Sequence, residues 1–223
     1  MNGAAALLLA DARFPAGGHA HSGGVEPAAS LGTVTGLGEL ELFLRGRLWT
    51  AGLTAAALAA VACAIAASES PATWDELDAE ADARLPSPAQ RQASRRQGRT
   101  LLRAAKAAWP EAGWLGRIGR QPHHAVALGA TAYAAAATPA EAARIAAYQA
   151  VSSPASAAVR LLALDPMQAA AITARLAHEI DAVARQASRH EDGPLEDLPM
   201  ASAPALDLLA EAHARAEVRL FES

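Results

Sequence analysis

The chain has 223 residues, 19 of them basic and 23 acidic, for a formal net charge of −4. That balance argues against broad binding to nucleic acid, and the length suits one domain with a substantial core. Hydrophobic residues make up 52% but aromatic residues only 4%, and the apolar share is mostly Ala and Leu, which favour helices over strands. Cys63 is the only cysteine, which excludes an intrachain disulfide and a Cys-rich metal site. The first residues lack the basic stretch of a secretory signal. The uncharged run Leu53 to Ala67 is short for a bilayer span, which needs about 20 residues, and reads as a core helix. The expectation is a soluble cytoplasmic protein, with no membrane and no nucleic acid among its partners.

In chain order, the pattern predicts a short helix over 4–10 and then a flexible, glycine-dense loop over about 11–24. This loop reads Phe14-Pro15-Ala16-Gly17-Gly18-His19-Ala20-His21-Ser22-Gly23-Gly24. A helix follows over 24–31, and a long segment over 37–68 is expected to break near Gly46 or Gly52. Thr73-Trp74-Asp75-Glu76 forms a capping box opening a helix over 74–83. Ser87-Pro88 starts a helix over 88–108, with a cap residue before a proline at the first helical position. Further helices are expected over 122–136, 139–151, 155–163, 166–188 and 204–216. Thr138-Pro139-Ala140-Glu141 and Asp165-Pro166-Met167-Gln168 mark two of these starts. The tail, about 214–223, is expected to be flexible. The whole reads as one all-α, bundle-like domain over 1–223, with about ten helices.

The helix over 88–108 carries a stripe of charge. At roughly 100° per residue, Arg91, Arg95, Arg96, Arg99, Arg103 and Lys106 share an arc of about 140°. Such a stripe is either a solvated face or a docking surface for an acidic partner. The acidic residues between Asp75 and Asp82 read as solvated. Glu26, beside the glycine-rich turn, reads as pairing with a helix N-terminus.

Enzyme motifs are missing. The only lysine follows Arg103-Ala104-Ala105, so the Gly-x-x-x-x-Gly-Lys-Ser/Thr phosphate loop is absent. His21-Ser22-Gly23 is not a nucleophile elbow, and Ser22 reads as a helix cap. His19 and His21 are weak candidates for a transient nickel contact, and His123-His124 form a second pair. Neither pair has the converging ligands of a metal site.

Five blocks carry a family resemblance. The opening, Phe14-Pro15-x-Gly17-x-x-x-x-Ser22-x-Gly24-x-Glu26, resembles the start of the urease accessory protein UreF family. Arg91-Gln92-Ala93-Ser94-Arg95-Arg96-Gln97-Gly98 is similar to the family's Arg-x-Ala-Ser-x-x-x-Gly helix. Pro122-His123-His124 looks like the next helix start, and Ala157 to Leu161 like a later helix. The ending, His213 through Arg219-Leu220-Phe221-Glu222-Ser223, resembles His-x5-Arg-Leu-Phe-x-Ser. Two departures point to a divergent branch. His19 stands where the family often has an aromatic, and Ala163-Leu164-Asp165-Pro166-Met167 replaces Pro-Leu-Gly-Gln-Thr.

The resemblance implies an all-α homodimer without enzymatic activity. It would bridge UreD (also called UreH) and the GTPase UreG in a complex on apo-urease. That complex inserts nickel with GTP hydrolysis, and UreE donates the nickel. The chain itself would hold no cofactor. Pro15, Gly17, Ser22, Gly24 and Glu26 would shape a surface or passage, while Arg95, Gly98 and Arg99 would support the basic helix and its interface. Arg219, Leu220, Phe221 and Ser223 would order on binding UreD. Alternative roles are a nickel-binding helical carrier or a regulator of GTP hydrolysis by UreG.

Overall fold

Alanine and leucine set the architecture: among the described residues the protein is helical, with no strand. The computed structural model describes residues 3–11, 14–15, 18–68, 72–201, 203–217 and 219–221. The side chains of His19, Ser68, Ala72 and Thr73 lie outside that description. The α-helices are α1 (Gly3–Ala10), α2 (Val25–Ser30), α3 (Leu37–Arg47), α4 (Leu53–Ser68), α5 (Ala72–Ala83) and α6 (Pro88–Ala108). They continue with α7 (His124–Ala134), α8 (Pro139–Leu161), α9 (Pro166–Arg175), α10 (Ala177–Ser188) and α11 (Pro204–Ala214).

The caps expected at Ser87, Thr138 and Asp165 form, whereas Gly24, not Ser22, stands at the N-cap of α2. Ser87 Oγ accepts the Gln90 N–H at 3.1 Å. Thr138 and Glu141 close a reciprocal capping box, at 3.3 and 2.7 Å. Asp165 Oδ1 accepts the Met167 N–H at 2.9 Å, so the sequence that departs from the family pattern builds its own helix start. Each such cap satisfies an N–H that the first turn leaves without a partner. Helix α5 begins at Ala72, which places Thr73 in the first turn; its expected cap bond lies outside the described side chains.

Three helix boundaries differ from expectation. The segment over 37–68 does not break at Gly46 or Gly52. Helices α3 and α4 run on through a π-helical turn, Leu48–Gly52, where the Thr50 hydroxyl donates to the Gly46 carbonyl at 2.8 Å. Such a turn widens a helix without ending it. Helix α8 is continuous through Pro154, although a proline removes one helical N–H. Pro154 is buried among Val151, Ala155, Ala157 and Ala158, and packing of this face outweighs the lost bond. Conversely, the helix expected over 166–188 is two helices. Leu176, fully buried with ψ of −3°, flattens the chain between α9 and α10.

Helix α4 lies at the centre and packs on α7, α8 and α10, while α6 packs on α7 and α11. The helical run 37–67 is long and apolar enough to cross a bilayer, but 72% of its most apolar window is buried inside the protein, as a core helix would be. Small residues let the core helices approach closely. A Cβ on Gly129 of α7 would fall 2.1 Å from the Ala59 carbonyl oxygen of α4. The few aromatics cluster at the edge of this core: Trp114 stacks on Trp74 at 6.4 Å and meets Tyr133 edge-on at 5.7 Å. Phe14 packs against Trp109 at 5.9 Å.

Candidate functional site

The glycine-rich turn and the C-terminal segment meet at Glu26. The turn before α2 passes through Gly23 and Gly24, at φ of +59° and +93°, a region that favours glycine. Side chains there would also collide: a Cβ on Gly23 would lie 2.9 Å from Pro154 Cγ. Ser22, fully buried, accepts the Glu26 N–H on its hydroxyl at 3.3 Å. The turn delivers the buried Glu26 carboxylate to the C-terminal segment, where it accepts the backbone N–H of Leu220 at 2.7 Å and of Phe221 at 2.9 Å. His213 Nε2 of α11 is 3.0 Å from the same carboxylate. Arg160 of α8 lies 4.4 Å over the Phe221 ring, a cation–π contact.

This arrangement corrects one expectation: the Glu26 carboxylate serves the C-terminal segment and α11 rather than its own helix end. Phe221 is 8% exposed and covered by its own chain. Its neighbour Leu220 is 75% exposed, and Arg219 is also exposed. The clamp therefore fixes the backbone and turns one apolar side chain outward. Pro15 is exposed beside buried Phe14. Gly17 and Ser223 lie outside the described residues, as does the His19 side chain.

A second cluster joins α5, α6 and the start of α7. Arg95 donates to Asp78 at 2.8 Å, to Asp82 at 2.6 Å and to the Gln121 carbonyl at 2.7 Å. Asp78 also accepts the His123 N–H at 2.9 Å. The His123 ring spans Asp82, 2.8 Å from Nε2, and Ser94, 3.0 Å from Nδ1. Ser94 Oγ accepts the His124 N–H at 3.1 Å. With Nε2–H donating to Asp82 and the Ser94 hydroxyl donating to Nδ1, every bond is satisfied by a neutral imidazole. Burial pulls the His123 pKa below its ordinary value, against the opposing Asp82 bond. Burial would raise Asp82, but bonds from His123 and Arg95 outweigh it and hold the carboxyl low. Gly98 completes the joint: a Cβ there would lie 2.1 Å from the Pro122 carbonyl oxygen.

Asp78, Asp82 and His123 also form a group of three potential metal ligands among the described residues. Arg95 already supplies the positive charge between the two carboxylates, so the cluster works as an ion-pair joint. It divides the basic stripe. Arg95 turns inward, and Arg91 donates to the Leu85 carbonyl at 2.6 Å. Arg99, Arg103 and Lys106 remain exposed, so Arg99 belongs to the outer face and not to the joint.

Between these clusters lies a cavity of about 340 Å³, lined by His21, Gly23 and Gly24 from the opening loop, His123 and His124 at the start of α7, and Arg47. His21 and His124 sit close enough for charge repulsion: burial, and secondarily His21, push the His124 pKa down to about 3. A groove of about 1180 Å³ runs between α1, α8, α9 and α10 and is lined mostly by apolar side chains such as Leu7, Ile145 and Val159.

A family model for UreF matches residues 34–177. The urease accessory protein UreF of Mycolicibacterium vanbaalenii is 45% identical over 218 residues, covering 97% of each chain. That of Mycobacterium marinum is 45% identical over 217 residues, and that of Mycobacterium tuberculosis 42% over 217, again covering 97% of each chain. The chain belongs to the UreF family of urease accessory proteins. The five family-like blocks have a structural reading: the opening, the Arg160 helix and the ending form the Glu26 clamp, while the Ser94–Gly98 and Pro122–His124 blocks form the α6–α7 joint.

Several partners in this UreF fold were not singled out from the sequence. Asp78 and Asp82 read as solvated, because nothing local marks the Arg95 and His123 that they face. Arg84 lies in no motif, yet its buried guanidinium pairs with Glu80 and donates to the carbonyls of Leu195 and Leu198, at 3.0 Å each. Arg47 lies in no motif either. The only available signal was its place in the apolar segment before the uncharged run of α4.

Proposed function

We propose that this protein is a non-catalytic scaffold in urease maturation, bridging UreD (UreH) and the GTPase UreG in a complex that docks on apo-urease. Nickel is the cargo of that complex and GTP its energy source; UreE delivers the nickel, and this chain holds neither as a resident cofactor. The protein acts in the cytoplasm and as a homodimer. The observation that carries this reading is the Glu26 clamp in a chain of this family. It joins the opening turn to the C-terminal segment and leaves Leu220 exposed on a backbone fixed at two points. An apolar side chain held in this way loses little freedom on binding, and rigid presentation favours affinity.

The C-terminal segment is the proposed UreD contact, and the exposed basic face of α6 is a surface for an acidic partner. The charges of Arg99, Arg103 and Lys106 would set encounter rate and orientation. The test is capture of purified UreD by variants of the full chain. Leu220→Ser should reduce capture at least tenfold with helicity and melting temperature unchanged. Phe221→Ala should also reduce it, by loosening the clamp. Capture equal to wild type by both variants would overturn the UreD assignment of the C-terminal segment.

A further inference from the structure

We propose that the cavity at Arg47 binds a small planar oxyanion of the carboxylate class. Arg47 is the last residue of α3, immediately before the π-helical turn, and lines the cavity of about 340 Å³. Its Nε is sealed from solvent and has no hydrogen-bond partner. No carboxylate pairs with its guanidinium among the described residues. Asp207 lines the same cavity but makes no ion pair with it. Burial pulls the Arg47 pKa down to about 10. Arg47 as a whole is half-buried, but a sealed guanidinium N–H without a partner is costly unless something completes it.

The surroundings favour an anion of a particular shape. A guanidinium presents parallel N–H donors that match a planar carboxylate in two-point contact. Gln97 and His124 line the same space, and each offers an N–H; a neutral His124 adds a donor without adding charge. Ala51, Ala55 and Leu58 supply apolar wall, which strengthens an ion contact by excluding water. The positive charge of Arg47 disfavours a metal cation in the same space. Because the opening loop and several different helices contribute to the lining, the site suits a diffusing anion more than a partner's side chain. The inference does not depend on the scaffold reading.

Formate is the probe. Calorimetric titration of the full chain with sodium formate, against sodium chloride at matched ionic strength, should show saturable one-to-one binding to wild type only with formate. Arg47→Met should bind formate at least tenfold more weakly while gaining thermal stability, since it removes a sealed donor that has no partner. Should that variant fail to fold, Ala55→Leu, which fills the cavity and leaves the charge in place, should weaken binding at least tenfold. Formate heats indistinguishable from chloride, or wild-type affinity in the variant that folds, would overturn the proposal.

Discussion

Glu26 links parts of the chain 194 and 195 positions away through two backbone hydrogen bonds. Hydrogen bonds to a charged acceptor are stronger than neutral ones, and their loss leaves buried donors without partners. Glu26→Ala should therefore cost roughly 2–4 kcal/mol in chemical denaturation and speed proteolysis of the C-terminal segment. Unchanged stability would contradict the clamp. His123 and His124 make a second prediction at this scale. Burial lowers both pKa values from 6.5, so the unfolded chain takes up protons first as pH falls. Their contribution is present above pH 6.5 and is lost progressively below it, for His124 down to about pH 3. The loss is up to about 1.4 kcal/mol per pH unit for each histidine. Melting temperatures between pH 7.5 and 4.5 should fall on acidification, and His124→Gln should flatten that slope. A flat wild-type profile would contradict neutral histidines at these two positions.

Among the helices, close approach decides more than side-chain size. Gly98→Ala should destabilise by about 3 kcal/mol, because its Cβ would strike the Pro122 carbonyl of the α7 start. The neighbouring Arg99→Ala should stay within about 0.5 kcal/mol, as expected for an exposed position. Helix ends offer the opposite sign. Ala136, after α7, and Ala163, after α8, take φ of 59° and 50°, the left-handed geometry that favours glycine. Ala136→Gly should stabilise the protein by roughly 0.5–1 kcal/mol, read from a denaturation midpoint. Helix starts were legible because Ser87, Thr138 and Asp165 act within their own turns. The continuity of α8 through Pro154 and the split at Leu176 were not, because burial against other helices decides both. The same division holds at the sites. Glycines and Glu26 stood out locally, but Arg47, Asp78, Asp82 and Arg84 draw their importance from residues distant in the chain.

At the scale of the whole molecule, the helices bring the family-like blocks into two joints, one at Glu26 and one at Arg95 and His123. Both hold the protein's own elements in place, and the groups left facing outward include Leu220 and the exposed basic residues of α6. That distribution suits a protein that works by positioning others. The most direct measurement is urease activation reconstituted from purified apo-urease, UreD, UreG, nickel and GTP, with and without this chain, alongside size-exclusion analysis of the mixture. The account predicts one assembly containing this protein, and urease activity that falls to background when the protein is omitted. Equal activity in its absence, or an active mixture from which the folded chain elutes alone, would contradict the scaffold role.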